Sequence, residues 1–477
     1  MKNVTGTLVL SIFGAILGMF YFGYNTGVIN APEDSIKQFI IDTHKSHYNV
    51  TLTNDGRDAI YTLIVSMFVV GGMVGAMIGG TIADKLGRKR GLILSQVMGL
   101  LGGIITAISK PLFSWEVLLV GRLLVGFTAG LNTVVAPLYL SEIAPVNLRG
   151  GIGVLNQLAV TSGIFLSQIL GLSEILGNEA GWAWLLAITA FPPALQLILL
   201  MFCPRSPRYV YISLEQEDEA RTELYKLRKD DDVVNSEIRE MFEEKQAEKE
   251  PDMNLWDIIK SSKLRVALTI GIVMHLSQQL SGIVAIFYYV VTFFTDAGIE
   301  TNQAKYANLG VGAIMVAMTL VTVPLMDRLG RRVLHLTGLA GMCISAILIV
   351  IAQNIDSEGA QVFLIVATLS FVVFFAVGPG SIPWMICGEL FTQGPRPAAS
   401  SICVFVNWAA NLLVSLTFPT LLIPKLGSFT FLPFAVLLFL FFIFVFLFLP
   451  ETKGRQVGET TALLQTKGWK AGQARRS

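Results

Sequence analysis

The chain has 477 residues, of which 53% are hydrophobic and only 14% charged, with a mean hydropathy of +0.63. No ordinary soluble fold buries so large an apolar fraction, so the composition points to a membrane protein. A net charge of +1, with basic residues clustered only beside the apolar runs, argues against a nucleic-acid partner.

Apolar runs approaching the roughly 20 residues that cross a bilayer recur about twelve times. The predicted spans are 8–30, 59–82, 91–109, 114–135, 152–172, 183–203, 265–294, 307–326, 333–353, 361–386, 399–420 and 431–449. The first run ends in Tyr24-Asn25-Thr26-Gly27 and lacks a small-residue cleavage site, so it reads as a retained helix and not a cleaved signal. Between 204 and 263 the chain turns to Glu, Lys, Asp and Arg, with helical patterning over 215–227 and 233–248; this stretch reads either as a solvated connection or as a latch beneath the helices. The expected organisation is an N-terminal bundle of six helices (1–203), a helical linker (204–263), a C-terminal bundle of six (264–450) and a polar tail (451–477).

The short loops carrying Arg88-Lys89-Arg90, Arg149, Arg331-Arg332 and Arg396 all fall on one side of twelve spans, which the positive-inside rule assigns to the cytoplasm together with both termini. The loop at 31–58 is then outside, where Asn49-Val50-Thr51 is a glycosylation acceptor, whereas Asn3-Val4-Thr5 should stay silent. The four cysteines, Cys203, Cys343, Cys387 and Cys403, read as small packing residues with neither disulfide nor metal spacing. His44 and His47 in the outer loop and His335 at a helix end read as structural.

Two halves repeat one plan. Asp84-Lys85-Leu86-Gly87-Arg88 recurs as Asp327-Arg328-Leu329-Gly330-Arg331, followed in this second copy by Arg332. About sixty residues after each comes an acidic residue seven positions before an arginine, Glu142 with Arg149 and then Glu389 with Arg396. Pro204-Arg205-Ser206-Pro207-Arg208 and Pro450-Glu451-Thr452-Lys453-Gly454-Arg455 close the halves. Duplicated helix sets with a site between them are a common transporter plan. Carboxylates matched to arginine forks in both halves form a candidate network that holds the halves together on the inner face and breaks when the protein opens inward. Its expected members are Asp84, Arg88, Arg122, Glu142, Arg149, Asp327, Arg331, Arg332, Glu389 and Arg396.

These motifs, with Gly121-Arg122 in the fourth span, resemble the sugar-porter branch of the major facilitator superfamily across nearly the whole chain. Gln278-Gln279-Leu280-Ser281-Gly282, Val377-Gly378-Pro379-Gly380 with Pro383-Trp384, and Gly394-Pro395-Arg396-Pro397 narrow the likeness to the animal facilitative glucose transporters, class I-like. The resemblance implies a major facilitator fold and facilitated hexose uptake, D-glucose first, at the plasma membrane. It also implies that Gln157, Gln278, Gln279 and Asn411 contact sugar, that Trp384 packs against it, and that Trp408 and Phe375 line the same cavity. The chemistry agrees: a carboxamide donates and accepts, as a sugar hydroxyl does, without the cost of an intramembrane charge. Asn407 belongs to this set or else serves hydrogen bonding between helices. Pro379, Pro383 and nearby glycines should break the tenth helix into a gate.

Proton-coupled sugar porters resemble this chain in the first helix but carry an aspartate where Asn25 follows Tyr24, and an amide cannot titrate. With Arg122 lacking that partner, a uniporter is expected, needing neither ATP, coupling ion, cofactor nor metal. Partners are then the hexose and membrane lipid, and no enzymatic activity is expected. The family pattern fails at Val284 and Met315, where asparagines are usual, at Ala376 in place of an acidic residue, at Arg205 in place of glutamate and at His275 in place of glutamine. These departures keep open a fructose or broad-hexose carrier; a non-transporting sugar sensor is the reading from a different class.

Overall fold

The computed structural model describes residues 5–247, 253–296, 298–355 and 357–473, so Asn3 and the last residues of the tail lie outside the described residues. In chain order the N-terminal half comprises α1 (Gly6–Gly27), α2 (Glu33–Tyr48), α3 (Asn54–Leu86), α4 (Arg88–Ile108), α5 (Trp115–Ile143), α6 (Arg149–Leu170) and α7 (Trp182–Phe202). The linker contributes α8 (Glu217–Arg228), α9 (Asp231–Ala247) and α10 (Leu255–Lys260). The C-terminal half comprises α11 (Arg265–Gln279), α12 (Ile283–Asp296), α13 (Thr301–Leu329), α14 (Arg331–Gln353), α15 (Glu358–Val377), α16 (Ile382–Leu390), α17 (Arg396–Thr417) and α18 (Leu432–Phe448), followed by α19 (Val457–Lys467).

Among the described residues eleven helical stretches are long and apolar enough to cross a membrane, and α18 is a shorter twelfth. The expected spans fall on these helices, with three instructive differences. The fourth helix runs on past 135 to Ile143 through Pro137, because its polar end is buried between the halves rather than released to water. The seventh span is two helices: α11 stops at Gln279, and Gly282 turns the chain at φ +97°, a conformation that glycine alone adopts freely. The tenth span divides at Gly378 as expected. Pro383, however, sits in the first turn of α16, where a proline starts a helix instead of breaking one. The outer loop 31–58 is mostly the helix α2.

Within the N-terminal half α3 and α5 pack backbone to backbone. A Cβ on Gly126 would lie 1.9 Å from the Phe68 carbonyl oxygen, and one on Gly75 would lie 2.1 Å from that of Phe127. Small residues at such a seam replace the hydrophobic drive that lipid does not supply. Elsewhere large apolar side chains such as Phe439, Leu440 and Phe446 stay exposed, on surfaces that suit lipid.

Candidate functional site

The repeated motifs build two charge clusters with equivalent partners at the linker end. Gly87 and Gly330 turn α3 into α4 and α13 into α14 with matching φ of +82° and +92°. Each turn delivers an arginine to a buried glutamate: Arg88 Nε donates to Glu142 at 2.9 Å, and Arg331 Nη2 to Glu389 at 2.6 Å. The same arginines also donate to the carbonyls of Ala83 and Met326. Asp84 and Asp327 lie 3.6 Å and 3.7 Å from them. Ser206 and Thr452, from the closing motifs, donate to the second oxygen of each glutamate, which in Glu389 also accepts from Arg331 Nε. Both oxygens of each buried glutamate thus have a hydrogen-bond partner.

Those strong pairs lie within a half, so by themselves they do not join the halves. The crossing contacts are different atoms. Gly151 N–H, in the first turn of α6, donates to Asp327 Oδ2 at 2.8 Å; Arg396 approaches Glu142 at 3.8 Å; Gly80 N–H donates to Ser401 Oγ at 2.7 Å. The linker takes part as well. Arg208 pairs with Glu240 at 2.6 Å and with Glu244, Arg396 lies 3.7 Å from Glu244, and Arg228 donates to the Ile143 carbonyl at 2.9 Å. Burial alone would pull the Arg208 guanidinium down, yet Glu244 and Glu240 outweigh it and hold its pKa above the ordinary arginine value. The linker is therefore tied to both halves, α8 to the Ile143 carbonyl and α9 to Arg396, contacts that no pattern in its own sequence announces.

Three arginines expected in this network sit otherwise. Arg122 is twenty residues from Glu142 along α5, about 30 Å at 1.5 Å per residue. There it donates to the Asn25 carbonyl at 3.2 Å and lies 4.5 Å over the Phe68 ring. The Asn25 carboxamide turns away from it, donating to the Tyr21 carbonyl and accepting from Thr189. Arg332 anchors the tail, donating to the carbonyls of Gly472 and Phe446 at 2.6 Å. Arg149 is buried with its Nε unpartnered, lining a small cavity with Glu389 and Met385.

Midway between the halves the carboxamides form one chain. Asn411 Nδ2 donates to Gln279 Oε1 at 3.2 Å, Gln279 Nε2 to Asn407 Oδ1 at 2.8 Å, and Asn407 Nδ2 to Gln278 Oε1 at 2.7 Å. Gln278 Nε2 ends it on the carbonyls freed where α15 breaks, Pro379 at 3.1 Å and Gly380 at 2.8 Å. The helix break thus supplies acceptors inside the membrane that an intact helix would consume. Asn407, which carried two readings, sits inside the chain as its central link.

Across this chain from the other half, Gln157 Oε1 accepts from Trp384 Nε1 at 3.1 Å. Trp408 donates to Thr133 Oγ1 at 3.2 Å and packs on Phe22 and Phe68. A cavity of about 40 Å³ is lined by Gln157, Gln278, Gln279, Asn411, Trp384 and Phe375 together with Val284, Phe287 and Tyr288. Tyr288 and Phe287 are lining residues that sequence reasoning missed, although their place just after Gly282 was a usable signal. Asn411 Oδ1 is buried without a partner. Val284 faces this cavity, whereas Met315 packs in the C-terminal core and Ala376 offers only its carbonyl, to Thr322.

On the side away from the linker a larger cavity, about 190 Å³, shares Thr26, Ile164, Phe287 and Tyr288 with the central one and reaches Asn30, Glu33 and Lys305. On the linker side the seam holds two spaces of about 10 Å³ each, at the lower limit for a single water. Among the described residues the linker end is therefore packed closed, with Gly151–Asp327 and Gly80–Ser401 crossing it, and the larger cavity lies at the other end. Asn49 is exposed at the end of α2, next to that accessible side.

A twelve-helix duplicated fold with a neutral polar cavity between its halves defines a membrane carrier. Residues 10–464 match the family described as "Sugar (and other) transporter". The chain is 44% identical to "Solute carrier family 2, facilitated glucose transporter member 4" of Mus musculus, over 97% of this chain and 92% of that one. It is 41% identical to member 1 of Gallus gallus, over 96% and 93%. Among solved structures it resembles the major facilitator superfamily proton:xylose symporter XylE bound to 6-bromo-6-deoxy-D-glucose, with a TM-score of 0.83, 24% identity, and 96% and 98% of the two chains covered. The chain belongs to the sugar transporter family of the major facilitator superfamily.

Proposed function

We propose that this protein is a facilitative hexose carrier, with D-glucose its first substrate, working by alternating access at a plasma membrane. The observation that carries the reading is the carboxamide chain from Asn411 to Gln278, which ends in an unpartnered Asn411 Oδ1 at a cavity lined by both halves. The amides satisfy one another. A sugar hydroxyl donating to Asn411 Oδ1 returns the roughly 1–3 kcal/mol that an orphaned buried acceptor costs. The other hydroxyls exchange with amide–amide bonds, of which Gln279–Gln278 at 3.4 Å and Asn411–Gln279 at 3.2 Å are the longest. The aromatic side chains Phe287, Tyr288 and Phe375 border the same cavity and would pack against the sugar ring.

In this reading residues 1–203 and 264–450 rock against each other as two bodies, and the linker side is cytoplasmic. The sealed state has its site open to the outside, where Asn49 carries glycan. Asp327–Gly151 and Arg396–Glu142–Glu244 then act as the cytoplasmic bolt, while Arg88–Glu142 and Arg331–Glu389 hold the bolt's parts in place. Transport runs downhill without a coupling ion, because the amide at Asn25 offers no proton site beside Arg122.

A broad-hexose or fructose carrier is the second reading, favoured by Val284 at the cavity wall, where an apolar side chain leaves one hydroxyl unread. The experiment is uptake of labelled glucose into proteoliposomes holding the full chain, with fructose as competitor and an imposed pH gradient. Saturable glucose uptake indifferent to the gradient supports the proposal. Preference for fructose moves it to the second reading, uphill accumulation overturns the uniport step, and binding without flux makes the protein a sensor.

A further inference from the structure

One buried cluster takes no part in this account. His275, Cys387, Ser400 and Cys403 gather in the C-terminal half directly on the linker side of the sugar cavity. A Cβ placed on Gly271 would lie 2.8 Å from Cys403 Sγ and 3.7 Å from Cys387 Sγ, so both thiols converge on one point. Cys387, His275 and Ser400 line one small space together. The His275 ring meets Trp384 edge-on at 5.5 Å, and its Nδ1 is buried without a partner.

The position of Cys387 gives the cluster its meaning. It follows Trp384 by three residues on α16, so both lie on one helix face, Cys387 one turn nearer the linker end. There it lines one of the two small spaces of the sealed seam, facing Pro137, Leu138 and Ser141 of the opposite half. The next residue, Gly388, is so close to that half that a Cβ would come within 3.1 Å of Ser141. Separation of α5 from α16, which alternating access requires, uncovers this thiol along the route by which sugar leaves.

We propose that Cys387 is a modification site for small cytosolic disulfides of the glutathione class, reachable only when the linker side is open; the proposal rests on the alternating-access reading above. In the reaction the Cys387 sulfur attacks one sulfur of the disulfide, the new S–S bond forms as the old one breaks, and the second half leaves as a thiolate. The proton lost by Cys387 ends on the departing thiolate, with His275, which lines the same space, the base to carry it, so no further oxidant is needed. Thiolate is the attacking species in such exchange, and a neighbouring acceptor for its proton speeds it. A space of about 10 Å³ cannot enclose the adduct. The modified carrier therefore cannot reseal, and transport stops until a reductant removes the adduct.

The test uses the full chain in proteoliposomes with biotin-tagged glutathione disulfide on the linker side. The expected result is a mixed disulfide on the peptide containing Cys387, uptake falling in proportion to the labelled fraction, and recovery with dithiothreitol. Cys387→Ala, and Cys387→Val in case the smaller side chain fails to fold, should keep uptake and lose the inhibition. His275→Gln should slow labelling about tenfold without abolishing it. Inhibition that persists in both Cys387 variants, or label confined to Cys203 or Cys343, overturns the proposal while leaving transport intact. Absent uptake before any treatment would instead overturn the carrier reading.

Discussion

Asp327 is the sharpest point at which to test the bolt, because its carboxylate is the acceptor for a backbone N–H of the opposite half. Gly151 donates to it at 2.8 Å, and no side chain could intervene, since a Cβ on Gly150 would lie 2.1 Å from Asp327 Oδ1. A hydrogen bond to a charged group contributes about 1.5–3 kcal/mol, and a carboxylate at a helix N-terminus adds a few tenths to about 1 kcal/mol. The Asp327 side chain is 30% exposed, so water competes and the lower end applies, about 1.5–2 kcal/mol. The linker-open state does not hold this bond. Asp327→Ala should therefore shift the balance toward it about ten- to thirty-fold, at about 1.4 kcal/mol per factor of ten. Asp327→Asn keeps an acceptor oxygen without the charge and should fall between. The assay is the rate of maleimide labelling from the linker side at Met385→Cys, a seam position, in a background with the four native cysteines replaced. A labelling rate within twofold of the parent, with folding intact by thermal melting, would refute the claim that this contact closes the seam.

Gln279→Leu removes the donor to Asn407 and the acceptor for Asn411 at about 1–3 kcal/mol for each orphaned partner; uptake should fall at least tenfold with expression unchanged, and unchanged uptake would dismiss the proposed site. Gly126→Val should lower the melting temperature sharply or abolish expression, since even a Cβ would sit 1.9 Å from the Phe68 carbonyl, and a normal melt would mean that α3 and α5 are not in backbone contact. Asn49→Gln should abolish a glycosidase-sensitive shift in gel mobility when the protein is made in animal cells, and a shift that survives would argue against placing α2 outside.

What the chain discloses in sequence and what it withholds follow the range of the interactions. The repeat Asp-x-Leu-Gly-Arg is local: glycine at positive φ and an arginine just after it set the turn's geometry, so the Arg88 and Arg331 clusters could be anticipated from spacing alone. Two of the linker's three helices, α8 and α9, were legible as well, because charge periodicity is a property of one segment. Their docking was not, since Glu244 meets Arg396 from 152 positions away and nothing in either motif encodes that meeting. Arg122 is the instructive case. A glycine-arginine pair in an apolar run marks an unusual charge without stating its depth; the sequence put Arg122 both in the charge network and opposite the Asn25 position, and the register of α5 leaves it beside Asn25.

The site divides along the same line. Amide side chains in apolar spans are conspicuous because burial makes them costly, which is why Gln157, Gln278, Gln279, Asn407 and Asn411 stood out before any coordinates. Their order along one hydrogen-bonded chain, and its termination on the carbonyls of Pro379 and Gly380, require the break in α15. The same unwound turn that provides acceptors for Gln278 detaches α16, the helix carrying Trp384 at the central cavity, Cys387 in the seam and Glu389 in the charge cluster. If the proposed carrier holds its sugar against Trp384, a tilt of this nine-residue helix carries Glu389 with it, and Glu389 holds the Arg331 that lies beside Asp327, the acceptor of the Gly151 N–H that crosses the halves.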